Sequence, residues 1–286
     1  MIENNLLEEL VVFSKVHTLA KTAEELMITQ PTVTRGMQQL EDKLGVSLFD
    51  RKRNKIELNE TGVFAAKQAQ TVLDAQKNLE NSVRNFYASQ NQLTIMTTMP
   101  GPTIWLHDQE IESDKKINIV DNLIKENQVE SLLNNYDAQI IFTTQEIDSP
   151  EIESRYIGDE KLHVWLSNFT PQASKKSVTF KDLAEMSFLV IDEIGPWKKI
   201  SEDNIPDAHF LYQQNTQTFE ELINGSSFPY FTTNLTSASR NPNTDRKEIP
   251  IDDPANKIEI FAAYLKDNRR KYKKFLDDLA IKWPKA

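Results

Sequence analysis

Residues 17–62, HTLAKTAEELMITQPTVTRGMQQLEDKLGVSLFDRKRNKIELNETG, constrain the fold more than any other passage of this chain. They hold two short helical patterns joined by a tight turn, then a glycine stop, then alternating residues around a basic cluster. Thr18 is placed to cap the first helix, whose apolar positions Leu19, Ala23 and Leu26 follow at i, i+4 and i+7. Ala20 and Ala23 are small, as a close helix–helix contact requires. Met27 and Ile28 make the turn. Thr29 is a natural N-cap for the next helix, and Pro31 falls in its first turn, where a missing N–H costs nothing. That helix buries Val33, Met37, Leu40 and Leu44, and Gly45 ends it as a left-handed cap with Val46 placed for the accompanying apolar contact. An earlier helix is read from Leu6, Leu10, Phe13 and Val16. Gly36 costs its helix roughly 1 kcal/mol against alanine, a cost that close approach to another group would explain.

The face opposite the apolar stripe carries Gln30, Thr34 and Gln38, flanked by Thr32, Arg35 and Gln39. An amide can bridge adenine, a guanidinium can bridge guanine, and a threonine methyl can touch thymine. After Gly45, Leu48 and Phe49 run into Arg51-Lys52-Arg53-Asn54-Lys55, and Ile56-Glu57-Leu58 then alternates. Two short strands around such a tip form a wing able to straddle phosphates, so the whole passage reads as a winged helix-turn-helix. The alternatives are a solvated face on an ordinary three-helix bundle and a solvated basic loop. The position of the basic run, directly behind a helix-turn-helix, favours nucleic acid.

This stretch is similar to the N-terminal domain of the LysR-type transcriptional regulators. The resemblance is carried by Thr29-Gln30-Pro31, Thr34-Arg35, Leu40-Glu41, Leu44-Gly45, Leu48-Phe49, Arg51 and Thr61-Gly62, and it covers about the first 65 residues in register. It implies base and backbone contacts to double-stranded DNA at Gln30, Pro31, Thr34, Arg35 and Gln38, with Thr32 bordering them and the wing at Arg51 and Arg53. Gly36-Met37 departs from the family, which more often has larger residues there.

The net charge of −10 looks unsuited to DNA, but it is unevenly spread: −2 over residues 1–60, +1 over 61–90 and −9 over 91–286. Phosphate affinity follows local basic clustering, so the total does not exclude DNA. The 286 residues suffice for two or three domains, there is no cysteine for a disulfide or thiolate site, and no apolar run approaches the roughly 18 residues of a membrane span. With no secretion signal after Met1, the expected location is cytoplasmic, away from any membrane.

Residues 1–60 are thus expected to form the DNA-binding domain and 61–90 a linking helix capped by Asn59. Ala65, Ala69, Val72, Gln76, Leu79, Val83 and Phe86 recur at alternating spacings of 4 and 3, the seam of a coiled coil. About 30 residues span roughly 45 Å, too long to fold back on so small a domain. A packed core helix is the alternative. Gln76 in the seam would help fix register in a homodimer, and the family resemblance implies a homodimer or homotetramer.

From Gln92 the pattern turns to alternating β and α. The chain is therefore expected to be an α/β multidomain protein, with a winged helix-turn-helix, a long dimerisation helix and a regulatory domain over 91–286. The resemblance implies two α/β subdomains like those of periplasmic binding proteins, residues 92–164 plus 265–286 and residues 165–264. The crossings would fall at Leu162–Leu166 and Phe261–Leu265. Ligands of such folds lie outside the C-terminal strand ends, at helix N-termini. That selects Thr97, Thr98, Gly101, Thr143 and Thr144 on one lobe, and Ile194, Gly195, Trp197, Asn215 and Thr216 on the other. Threonine-rich strand ends suit a small-molecule effector such as a carboxylate; ordinary loop capping by threonine is the alternative.

His17, His107, His163 and His209 show no metal-ligand spacing, and neither GxGxxG nor GxxxxGK[ST] nor a nucleophile elbow occurs. No metal, cofactor or enzymatic activity is expected. The reading is an effector-responsive regulator, with RNA polymerase as a further partner, set against an enzyme merely localised by its N-terminal unit and an architectural DNA-binding protein without a ligand.

Overall fold

Thirteen residues open the structure as α1 (Asn4–Val16), which buries Leu6, Leu7, Leu10, Val11 and Phe13. This is a computed structural model, and it describes residues 1–52, 55–110, 114–237 and 245–285. α2 (Leu19–Glu25) starts at Thr18, whose Oγ1 accepts from the Lys21 amide at 3.3 Å. The turn closes with the Ile28 amide donating to the Ala23 carbonyl at 2.9 Å. α3 (Gln30–Leu44) has Thr29 as N-cap, Pro31 in its first turn and Gly45 at φ +70° as C-cap, the punctuation read from the sequence. It buries Val33, Gly36, Met37 and Leu40. Leu44, expected inside, is 40% exposed, because Leu48 beyond the Gly45 reversal is fully buried and takes the core position.

β1 (Phe49–Lys52) and β2 (Lys55–Leu58) pair antiparallel, with Phe49 opposite Leu58 and Lys52 opposite Lys55. Asn59 caps α4 (Glu60–Ala88): its Oδ1 accepts from the Gly62 amide at 2.8 Å, and its Nδ2 donates to the Ser47 carbonyl at 3.0 Å. Ala66 and Ala69 of α4 join the apolar core made by α1, α2, α3 and the hairpin. Gln76, placed in the seam by its spacing, accepts a hydrogen bond from Asn4 Nδ2 of α1.

The chain divides into two compact units at Arg84 and Asn85. The second unit runs β3 (Gln92–Thr97), α5 (Pro100–His107), β4 (Lys116–Ile119), α6 (Val129–Asn134), β5 (Ile140–Thr143) and β6 (Ile152–Glu160). It continues through β7 (Leu162–Ser167), β8 (Ser187–Ile191), α7 (Pro196–Asn204), β9 (His209–Gln213), α8 (Thr216–Gly225), β10 (Tyr230–Thr233) and β11 (Arg246–Pro250), and closes with β12 (Ile258–Leu265) and α9 (Arg269–Lys282). Two five-stranded sheets result, ordered β4-β3-β5-β12-β6 and β11-β7-β10-β8-β9. In each, three parallel strands are extended by antiparallel ones, which makes two α/β subdomains of similar plan.

The crossings differ from the sequence expectation. The chain passes from the first sheet to the second at Lys161 and returns between Ile251 and Ile258. β12 lies wholly in the first sheet, because it pairs with β6 along its whole length, from Ile258 opposite Glu160 to Leu265 opposite Ile152. No helix among the described residues is long and apolar enough to cross a membrane.

Candidate functional site

The polar face of α3 is set by the burial of its other side. With Val33, Met37 and Leu40 inside, Gln30, Pro31, Thr32, Arg35 and Gln38 are exposed and Thr34 is half-buried. Thr34 Oγ1 donates to the Gln30 carbonyl at 3.0 Å, and Thr32 Oγ1 lies 2.8 Å from Thr29 Oγ1. Local bonds therefore fix the rotamers of the two threonines before any partner arrives. Arg35 forms no ion pair with the described residues and is held out into solvent.

The wing is tied to α3 by one carboxylate. Glu41 Oε1 accepts from the Leu48 amide at 2.7 Å and the Phe49 amide at 3.2 Å, while Oε2 meets the Arg51 guanidinium at 2.8 Å. Burial pushes the Glu41 carboxyl up, but the Leu48 amide and Arg51 more than offset it and leave its pKa below the ordinary value. Arg51, read from the sequence as a wing contact, is thus a strut between helix and hairpin, with its side chain 45% exposed. Arg53 lies outside the described residues.

In the first subdomain the threonines at the strand ends already hold a carboxylate. Glu126 Oε1 accepts from Thr98 Oγ1 at 2.8 Å, the Thr144 amide at 3.1 Å and Thr144 Oγ1 at 2.8 Å. Its Oε2 accepts from Thr143 Oγ1. Thr97 is buried with its hydroxyl against that of Thr103. The donors assigned to an effector carboxylate are consumed by the protein's own, so Thr97, Thr98, Thr143 and Thr144 lie off the open cavity.

That cavity, about 730 Å³, lies between the two subdomains. Gly101 at the start of α5 faces Ile194, Trp197 and Thr216 of the other lobe across it, four of the ten residues selected from the sequence. Gly195, at φ +60°, starts α7 where the lobes touch: a Cβ there would sit 3.4 Å from Met99 Cβ. Asn215 spends its Oδ1 capping α8, accepting from the Gln217 amide at 2.7 Å.

The residues not selected are the more telling ones. Glu160, the last residue of β6, and Ser201, one turn beyond Trp197 on α7, both line the cavity and are 1% and 2% exposed. Burial pushes the Glu160 pKa up to about 7, against the opposing pull of the nearby Thr233 hydroxyl and Trp197 indole N–H. A Cβ on Gly101 would sit 2.1 Å from Glu160 Oε1, so the first turn of α5 is cut back to a glycine to admit the carboxyl. The bare helix start of Gly101 was visible in sequence; its partner, nearly sixty residues on, was not.

Residues 5–63 match the model of the bacterial regulatory helix-turn-helix protein, lysR family. The chain is 24% identical over 195 residues to the uncharacterized HTH-type transcriptional regulator YybE of Bacillus subtilis, covering 65% of each protein. It is 28% identical over 182 residues to the HTH-type transcriptional regulator CatR of Pseudomonas putida, covering 63% of this chain and 62% of that one. The matched part is thus a little under two thirds of either relative's length. The fold is shared with a full-length OxyR variant from Pseudomonas aeruginosa at a TM-score of 0.52 and 17% identity, covering 98% of this chain and 95% of that structure.

Proposed function

We propose that this chain, a member of the LysR-type family of bacterial regulatory helix-turn-helix proteins, is a DNA-binding transcriptional regulator controlled by a small molecule. α3 lies in the major groove with Gln30, Pro31, Thr32, Thr34, Arg35 and Gln38 towards the bases and backbone. The wing, through Arg51 and Arg53, borders the phosphates. α4 pairs with the α4 of a second copy, through Val72, Leu79, Val83 and Phe86, each at least half exposed, so that a dimer or tetramer presents two recognition helices to a two-fold site. The effector sits in the cleft between the subdomains, against Gly101, Ile194, Trp197 and Thr216. Closure on it alters how the subunits pack and, through them, the engagement of operator and RNA polymerase.

The observation that carries the reading is the segregation on α3: an amide, hydroxyl and guanidinium face in solvent, backed by Val33, Met37 and Leu40 at no more than 1% exposure. Selection of genomic fragments by the full-length protein tests it. A defined operator is expected, and Arg35→Ala is expected to weaken it by about 1–3 kcal/mol, the worth of a good base contact. Equal affinity for all duplexes, or an unchanged operator affinity in the variant, refutes the assignment.

A further inference from the structure

We infer that the cleft takes a small organic cation, an amine with an apolar body and a hydrogen-bond acceptor, held between Glu160 and the Trp197–Ser201 face of α7. The inference rests on the cleft being the effector site and names what that site would bind.

Three residues that line this cavity each bury a polar atom that lacks a hydrogen-bond partner. Glu160 Oε2, Trp197 Nε1 and Ser201 Oγ form no hydrogen bond of acceptable geometry, although their residues are only 1%, 3% and 2% exposed and all three line the same space. Buried polar groups are nearly always satisfied, and a cluster of exceptions around one void marks groups waiting for a ligand. Trp197 offers a donor only; its N–H lies near the Glu160 carboxyl without a well-formed bond to it, which leaves it free to turn to an acceptor on the ligand. Ser201 can give or take, and Glu160 takes a donor when ionised.

The charge of the walls decides the sign. Glu160, Asp192, Glu193 and Glu220 line the cavity, and no lysine or arginine does among the described residues. Lys198, next to Trp197 on α7, is paired with Asp192 at 2.7 Å. With Asp192 paired to Lys198, an anionic ligand would still meet Glu160, Glu193 and Glu220, whereas a cation beside Glu160 supplies the charge that burial withholds from it. The donors at Thr98, Thr143 and Thr144 are occupied by Glu126. Leu162, Leu189, Phe219 and Phe231 leave room for an apolar body of aromatic size.

Three probes of one shape and different charge test this on the full-length protein by calorimetry at pH 8: tyramine, 3-(4-hydroxyphenyl)propionate and the neutral 2-(4-hydroxyphenyl)ethanol. Tyramine is expected to bind, at least tenfold more tightly than the alcohol, and the propionate not at all. Glu160→Gln should weaken tyramine tenfold or more while leaving the alcohol unchanged. Ser201→Ala, which leaves Glu160 in place, should weaken both probes severalfold. Propionate binding equal to or tighter than tyramine overturns the inference, as does tyramine binding untouched by both variants, or no binding of tyramine. Propionate binding that Ser201→Ala weakens would overturn the cation and keep the cleft as an effector site. Failure of operator selection, measured without any probe, refutes the regulator reading whichever probe binds.

Discussion

A Cβ on Gly36 of α3 would lie 1.9 Å from Oε2 of Glu9 on α1, so these two helices pack as they do only because residue 36 has no side chain. Glu9 is 3% exposed and its Oε2 has no hydrogen-bond partner. Gly36→Ala is therefore expected to destabilise the N-terminal unit, by pushing a carboxylate that has nowhere solvated to go. In a Glu9→Ala background the same substitution should change sign and stabilise by roughly 1 kcal/mol, the helix propensity that glycine forfeits. Denaturant melts of the two single variants and the double variant measure the coupling. Additive effects would show that the glycine answers to something else.

The second unit repeats the device, with Glu160 set against Gly101. Burial raises the Glu160 pKa from 4.5 to about 7, and the carboxyls sharing its cavity are Asp192, Glu193 and Glu220. A carboxyl whose folded pKa is raised contributes stability at pH below 4.5, and loses it as pH rises through 7, because the unfolded chain ionises first. At pH 8 the cost amounts to about 3 kcal/mol. Glu160→Gln removes it. The variant is expected to melt higher than the parent at pH 8 and nearly level with it at pH 5, in paired thermal scans of the free protein. A parent more stable than the variant at pH 8 would mean that the carboxylate is already compensated.

The caps and periodicity of α3 are local properties, which is why Thr29, Pro31 and Gly45 stand in the structure where their chemistry puts them. β6 and β11 are not legible in the same way, because each buries a polar residue whose partners are remote. Arg246 of β11 is 7% exposed and donates to the carbonyls of Ile223 at 3.0 Å and Ser226 at 2.6 Å, satisfying the end of α8. α7 opens on Pro196 behind Gly195, a pair that reads as a turn, and its buried residues are only Trp197 and Ser201. At the site, the sequence offers the strand-end threonines as a place for an effector carboxylate. It gives no sign that Glu126, 28 residues after Thr98 and 17 before Thr143, fills them.

That carboxylate yields a rescue experiment. Glu126 draws three hydroxyls and one amide together, and hydrogen bonds to a charged group contribute about 1.5–3 kcal/mol each in favourable cases. Glu126→Ala is expected to lower stability by about 2–4 kcal/mol, less than the sum because water replaces part of what is lost. Acetate should then restore part of the melting temperature of the variant while leaving the parent unaffected, since only the variant has an open anion site. Equal responses of the two proteins to acetate would argue that the threonines collapse onto one another instead.

Met27, in the turn between α2 and α3, is 93% exposed at φ +54°. A non-glycine residue there crowds its Cβ against the following carbonyl, at a cost of roughly 1–2 kcal/mol, which asparagine bears more easily. Met27→Asn is expected to raise the stability of the N-terminal unit by up to about 1 kcal/mol without changing operator affinity. A lowered melting temperature would show that the exposed thioether makes a contact worth more than the strain.

On α4 Ala66 and Ala69 are buried, whereas Val72, Leu79, Val83 and Phe86, further along, are 50%, 64%, 61% and 50% exposed. An apolar row of that length on one helix face is a seam without its other half. Leu79→Asp with Val83→Asp should leave the helix in place but put two charges where a second copy would pack. Sedimentation is expected to give a monomer, with helix content unchanged by circular dichroism. DNA binding should then fall by far more than the loss of one recognition helix, because two linked contacts reinforce each other through their effective concentration. An oligomer that survives both charges would move the interface off this face of α4.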